Sequence, residues 1–285
     1  MSLSASAALR SATATLAAAG VASPDHDAAE LLAHVLGTTR SRLPLVGELP
    51  AQRREEYDAL VARRARREPL QHLVGTAAFR YVELAVGPGV FTPRPETELL
   101  AGWGVDRARE VLASGRAPVV VDLCTGSGAI ALALATEVPE AQVHAVELSE
   151  DALAWASKNL AGSGVDLRHG DMAGAFPELD GTVDVVLCNP PYIPLDAYLT
   201  VAEEARVHDP HLALFSGEDG LEAMRVLEQV AARLLRPSGV VGAEHADVQG
   251  ESAPAVFTAS GRWADVRDHR DLAGRPRYTT ARLAR

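Results

Sequence analysis

The chain has 285 residues, 47% of them hydrophobic, enough to bury a full core and to divide into one large and one small domain. With 27 Lys and Arg against 38 Asp and Glu, it carries a net charge of -11, the wrong sign for a protein whose main work is gripping phosphate backbones. Two cysteines, Cys124 and Cys188, are too few for a disulfide framework and lack metal-ligand spacing, so neither a disulfide scaffold nor a metal site is expected.

No run reaches the roughly 18 apolar residues of a membrane span, and the alanine-rich start, with Arg10 its one cation, lacks a signal-peptide core. A cytoplasmic protein is the expectation. Residues 1–85 are nearly neutral, with 10 Arg and 9 acids, so almost all the negative charge falls on the remainder.

Residues 1–75 read as a small helical domain. Ser23 is a candidate cap, Pro24 suits the first helical position, Leu31, Leu32, Val35 and Leu36 form a stripe, and Gly37 stops the helix. A second helix is expected over 51–67, its Arg63, Arg64, Arg66 and Arg67 forming a solvated face. Residues 76–92, including FRYVELAVGPGVF, alternate around Gly87-Pro88-Gly89 and read as a hairpin or linker between domains. In PRPETELL, Pro93 and Pro95 hold the chain extended before a helix opens near Thr97.

From residue 93 to 285 the expectation is one α/β domain. The runs PVVVDLC, QVHAVEL, VDLRHGD, VDVVLC and GVVGAEH alternate with amphipathic helical segments. Apolar strands in that alternation require a mostly parallel sheet covered on both faces, and crossover handedness makes it doubly wound, that is, Rossmann-like. Ligands in such sheets bind beyond the carboxyl ends of the strands, at the switch point.

The first of these strands leads into Asp122-Leu-Cys124-Thr125-Gly126-Ser127-Gly128, a glycine turn that lets a ligand approach backbone amides. Glu147, 19 residues after Gly128 at the end of the next strand, stands where a carboxylate accepts both hydroxyls of a ribose. The ligand is therefore expected to contain a nucleoside. Asp122 at the turn would repel a pyrophosphate and attract an ammonium or sulfonium, which favours S-adenosylmethionine over a dinucleotide. Asp171 and Met172, after the third strand, suit an adenine: one accepts from its amine, the other packs on its face.

The fourth strand ends in LCNPPYIP, residues 187–194. Prolines 190, 191 and 194 stop the ladder and keep the chain extended, so Asn189 projects beside Gly126 and Gly128. A planar NH2 group is a poor nucleophile and needs alignment. Asn189 can accept one of its hydrogens, the carbonyl of Pro190 the other, while Pro191 fixes that carbonyl and Tyr192 packs on the flat group. This chemistry serves adenine N6, guanine N2 and glutamine alike.

NPPY resembles the motif of methyltransferases that act on planar NH2 groups. The whole chain resembles the HemK/PrmC family, through the helical N-terminus, PLQHLVGTAAFRYVELAVGPGVFTPRPETELL, VDLCTGSGAIALALA, NPPYIP, HDPHLALFSGEDGL, EHADVQ and DLAGRPRY. The resemblance implies a class I methyltransferase that moves a methyl from S-adenosylmethionine, leaving S-adenosylhomocysteine, to the N5 of glutamine in the Gly-Gly-Gln motif of peptide chain release factors. It implies donor binding by Cys124 to Gly128, Glu147, Met172 and Asn189, glutamine binding by Asn189 to Tyr192, and Arg94 and Glu96 in a loop over the pocket. Residues 1–75 would recognise the protein substrate, with no membrane and no direct nucleic-acid contact. Cys124, where the family usually has Gly, and Glu147, where Asp is more frequent, depart from the pattern. A ribosomal protein, an exocyclic nucleic-acid amine and a non-catalytic donor-binding role are the alternatives.

Overall fold

The computed structural model describes residues 3–200 and 203–284. These fall into two compact units, one of residues 3–76 with 203–208, the other of 77–200 with 209–284.

The first unit is built from helices α1 (Ala5–Ala18), α2 (Pro24–Leu36), α3 (Ala51–Ala65) and α4 (Leu70–Val74), with a two-residue strand pair, β1 (Leu3–Ser4) and β2 (Glu48–Leu49). In α2, Pro24 occupies the first turn and Gly37 adopts the left-handed conformation that ends the helix, whereas Ser23 makes no capping bond. Leu16, Leu31, Leu32 and Tyr57 are fully buried, and the Tyr57 hydroxyl donates to the Ala28 carbonyl at 2.9 Å.

The arginine run of α3 is not a uniformly solvated face. Arg64 is 5% exposed and donates to Asp27 at 2.7 Å and to Glu204 at 2.9 Å. Glu204 lies on α8 (Glu203–His208), so a short segment that the sequence assigns to the larger domain belongs to this unit. Arg64 shares its buried face with Tyr57 and Val61, and charge alone does not reveal a buried partner distant in sequence.

The second unit carries a seven-stranded sheet in the order β10-β11-β9-β8-β5-β6-β7. Its strands are β5 (Val119–Leu123), β6 (Gln142–Glu147), β7 (Asp166–His169), β8 (Val183–Cys188), β9 (Leu235–Glu244), β10 (Trp263–Arg270) and β11 (Pro276–Leu283). The first five are mutually parallel; β11 is antiparallel to both β9 and β10. The chain winds one way from β5 to β7 and the other from β8 to β9, so the switch point lies between β5 and β8.

Alternation along β8 sends Val185 and Leu187 to one face, under α5 (Thr97–Ala113) and α6 (Ala129–Glu137), and Val186 and Cys188 to the other, under α10 (Glu222–Leu234) and α11 (Ser252–Ala259). Helix α7 (Glu150–Asn159) joins β6 to β7. The hairpin β3 (Thr76–Phe79) and β4 (Val82–Ala85) is more than a linker: Phe79, Leu84, Val86 and Val90 are buried in the core beneath α5 and α6. Its apolar alternation is that of a sheet with one face packed on a core.

Among the described residues no helix is long and apolar enough to cross a membrane, and no group of three or more His, Cys, Asp or Glu side chains is gathered for a metal.

Candidate active site

The pairing of Leu123 with Cys188 brings the next residues, Cys124 and Asn189, out of adjacent strands at the switch point. A cavity of about 480 Å³ opens there. The turn 124–127, Glu147, Leu148 and Ser149 line one part; Asp171, Met172 and Ala173 another; Thr97, Asn189, Pro191, Tyr192 and Ile193 face it from the NPPY side. Residues 212–217, which include short helix α9 (His211–Leu214) in part, complete the wall.

The glycine turn is held by several bonds. Thr125 N–H donates to the Val146 carbonyl at 3.0 Å, and Gly128 N–H to the Thr125 carbonyl at 2.8 Å. Gly128 stands at φ 84°, and a Cβ there would meet Leu160 Cγ at 3.0 Å, so both backbone conformation and space favour glycine. Glu147 Oε2 accepts from Gly126 N–H and Oε1 from Ser149 N–H, each at 2.8 Å. Each oxygen keeps a second lone pair for a ligand on the cavity side.

Asp122 has a different place from the one its sequence position suggests. It is fully buried behind the turn, outside the cavity lining, where Oδ2 accepts from the Thr125 hydroxyl at 2.6 Å and from Ala131 N–H at 3.2 Å. Burial pushes its carboxyl up to about 7; the Thr125 and Ala131 bonds oppose the rise and the Glu147 charge adds to it. Asp122 fixes the turn, and the carboxylate presented to the cavity is that of Glu147.

Gly128 and Pro190 likewise sit beside the cavity without lining it. Cys188 is buried, whereas Cys124 is half-buried, lines the cavity at φ 59° and lies 3.7 Å from Met172 Sδ. Asp171 accepts from Ala173 N–H at 2.9 Å. Arg94 is also outside the lining: it donates to Asp209 at 2.8 Å and covers the Phe91 ring at 4.9 Å, while Glu96 meets Arg275 at 3.5 Å.

The NPPY segment is braced from below. Ile193 bridges Phe215, Ser216 N–H donates to the Ile193 carbonyl at 2.9 Å, and Gln249 Nε2 donates to the Tyr192 carbonyl at 3.1 Å. Asn189 Nδ2 donates to Thr97 Oγ1 at 3.3 Å, and the Tyr192 hydroxyl to Glu244 Oε1 at 3.4 Å. Burial pushes the Glu244 carboxyl up to about 7; a Thr97 hydroxyl bond, the Arg277 charge and Tyr192 oppose this, and Glu96 adds to it. Sequence reasoning gives Thr97 only a helix start and Glu244 no task; the quoted EHADVQ run was the one signal for the latter.

The residues present suit an adenosyl ligand: Glu147 offers free lone pairs, Gly126 has open space where a Cβ would stand, and Leu148 and Met172 supply an apolar face. A parallel sheet completed by an antiparallel β11, with this cavity at its switch point, defines a class I S-adenosylmethionine-dependent methyltransferase. Residues 7–75 match the PrmC N-terminal domain and residues 120–210 a methyltransferase domain. A release factor glutamine methyltransferase of Streptomyces coelicolor is 60% identical over 275 residues, 96% of each chain. One from Mycolicibacterium smegmatis is 50% identical over 281 residues, 98% of each chain. A 4-amino-L-phenylalanine/4-methylamino-L-phenylalanine methyltransferase of Streptomyces pristinaespiralis is 47% identical over 205 residues, 72% of this chain and 70% of that one. The chain belongs to the release factor glutamine methyltransferase family.

Proposed function

We infer that this protein methylates the side-chain amide nitrogen of glutamine in the Gly-Gly-Gln motif of peptide chain release factors, in the cytoplasm. The observation that carries the reading is the meeting in one cavity of Glu147 and the glycine turn with Asn189 and Tyr192. The names of the full-length relatives supply the substrate, and the match of residues 7–75 to the family's N-terminal domain supports a protein substrate over the small arylamine of the shorter match.

Residues 124–127, Glu147, Asp171 and Met172 hold the donor, with Glu147 accepting from the ribose hydroxyls. Asp122 and Gly128 support that site by shaping the turn. Bound S-adenosylmethionine supplies a methyl carbon made electrophilic by its sulfonium charge, and S-adenosylhomocysteine is the product. The residues' own task is alignment, because an amide lone pair is delocalised and weakly nucleophilic. Asn189 accepts one substrate N–H through Oδ1, and the carbonyl of Pro190, which stands between the lining residues Asn189 and Pro191 and is directed by Pro191, accepts the other at the cavity's edge. The two acceptors stabilise positive charge that builds on nitrogen. Tyr192 packs against the planar amide. Once alkylated, the nitrogen is acidic enough to lose its proton to water, so no strong base is needed. The helical unit is the part that recognises the release factor.

The test is to offer the enzyme and labelled donor a release factor, a ribosomal protein, 4-aminophenylalanine and nucleic acid separately, and to locate the methyl by mass spectrometry. Label on the glutamine of Gly-Gly-Gln is expected. Label confined to any other substrate would overturn the reading.

A further inference from the structure

Asn159, the last residue of α7, makes three side-chain hydrogen bonds. Its Oδ1 accepts from Ala85 N–H at 2.8 Å, and the two Nδ2 hydrogens go to the Ala85 carbonyl at 3.0 Å and the Ser127 carbonyl at 2.9 Å. Because Ala85 N–H can only donate, the amide faces just one way. A clasp between β4 and α7 would need the two Ala85 bonds alone. The third reaches the glycine turn, where Ser127 lines the cavity.

Asp151, Trp155 and Asn159 stand four residues apart, on one face of α7. Trp155 Nε1 donates to the Pro88 carbonyl at 3.2 Å; a Cβ on Gly87 would lie 2.6 Å from Trp155 Cζ2, and one on Gly89 2.9 Å from Asp151 Cβ. Residues 85–89 therefore lie along this stripe, too close to it for side chains at two positions. Gly89 and Phe91 line the cavity. The Phe91 ring is covered by Arg94, whose partner Asp209 leads into the wall formed by residues 210–217, and that wall pairs with the NPPY segment through Ile193 and Phe215. Helix α7 meets the donor side at both ends. At its start the lining residue Ser149 donates its N–H to Glu147 at 2.8 Å, and at its finish Asn159 and Leu160 support Ser127 and Gly128.

We propose that Asn159 is a positioning residue that couples the two halves of the cavity: a donor seated on Glu147 and the glycine turn fixes both ends of α7, and the Asp151–Trp155–Asn159 stripe then holds residues 85–91 in place for the protein substrate. This rests on the reading of the cavity as the site where S-adenosylmethionine meets a release factor. Once one ligand has ordered the helix and the loop, the other no longer bears that entropic cost, so each raises the affinity of the other by the same factor.

The experiment measures Kd for the release factor with and without saturating S-adenosylhomocysteine, together with amide hydrogen exchange over residues 85–91. In the wild type the nucleoside should tighten release factor binding at least about fivefold, the lower end of coupling between sites, and slow exchange in that loop. Asn159→Asp keeps the acceptor for Ala85 N–H but loses both donors and sets a carboxylate against two carbonyls. In it the tightening should fall below about twofold and the exchange protection should vanish. Trp155→Ala frees the loop while sparing the Ser127 bond, and should lose the coupling with donor Kd within about threefold of wild type, which covers the case that Asn159→Asp folds poorly. A merely structural role would lower Tm and leave the ratio of the two Kd values as it is in the wild type. A wild-type ratio in both variants, or no tightening in the wild type itself, would overturn the proposal while methylation of the release factor still stood. Failure of the wild type to bind a release factor under either condition would instead remove the substrate reading, and the proposal with it.

Discussion

Gly220 precedes α10 at φ 73°, and a Cβ placed there would lie 2.3 Å from the Tyr192 carbonyl oxygen, 2.8 Å from Gln249 Nε2 and 3.0 Å from Pro194 Cδ. Real Cβ contacts essentially stop at 3.0 Å, so in Gly220→Ala the Tyr192 carbonyl must retreat by at least about 0.7 Å. The retreat also pulls on the Gln249 bond to that oxygen. A left-handed alanine costs about 1–2 kcal/mol and forced overpacking about 1–3 kcal/mol, giving a loss of roughly 2–5 kcal/mol in stability. At about 2–4 °C per kcal/mol for a protein of this size, Tm falls by roughly 4–20 °C. Displacing the NPPY backbone by nearly an ångström should lower kcat by about 10²-fold. The donor side of the cavity hangs on Glu147 and the glycine turn, so donor Kd should hold within about twofold. Thermal unfolding, single-turnover methylation and calorimetric donor titration together decide the matter. A folded variant whose kcat stays within about threefold of wild type would refute the view that Gly220 supports the substrate amide through Tyr192.

Glu147→Gln leaves one acceptor for two backbone amides and sets an NH2 against the other, so donor Kd should weaken by about 10–100-fold, at about 1.4 kcal/mol per decade; an unchanged Kd in calorimetry would end its proposed ribose role. In the helical unit, Arg64→Ala strands the buried Asp27 carboxylate and should cost about 3–5 kcal/mol in denaturant unfolding, whereas loss of less than about 1 kcal/mol would mean water reaches Asp27. The pH dependence of stability has a set sign. Because Asp122 is raised from 3.8 to about 7, the folded state takes up its proton before the unfolded state does, and stability is lost as pH rises through that interval and is flat above it. Asp122→Asn should therefore gain on wild type between pH about 4 and about 7; a difference constant across that range would show Asp122 ionised throughout.

The parallel half of the sheet was legible because each of β5, β6, β8 and β9 is a short apolar run closed by turn chemistry, and buried parallel strands have no other sequence form. Strands β10 and β11 were not, since WADVRDHR mixes Arg, Asp and His with few apolar residues and takes its order from pairing with β11. Within the site, the turn and NPPY announce themselves by residue types with few alternative uses. Asp122 shows the limit: sequence puts it at the turn, but only packing decides whether its carboxylate faces ligand or core. Thr97 and Glu244 were illegible for a further reason. Each is tied to the NPPY segment by a bond between residues far apart in sequence, Thr97 to Asn189 and Glu244 to Tyr192, which no local pattern encodes.

The strand order also governs how the molecule can assemble. β11 follows β10 in the chain yet lies between it and β9, and among the described residues β10 has no other strand partner. A nascent chain that has made β10 but not residues 276–283 therefore has no strand for it to pair with, and the Arg277 carbonyl that receives His245 N–H at 3.0 Å is also missing. The wall behind Glu244 is thus closed by β11, through contacts of long loop closure that form slowly. Donor-side elements precede β11 in the chain and can settle first, whereas the substrate side matures only once residues 276–283 have been made and paired with β9.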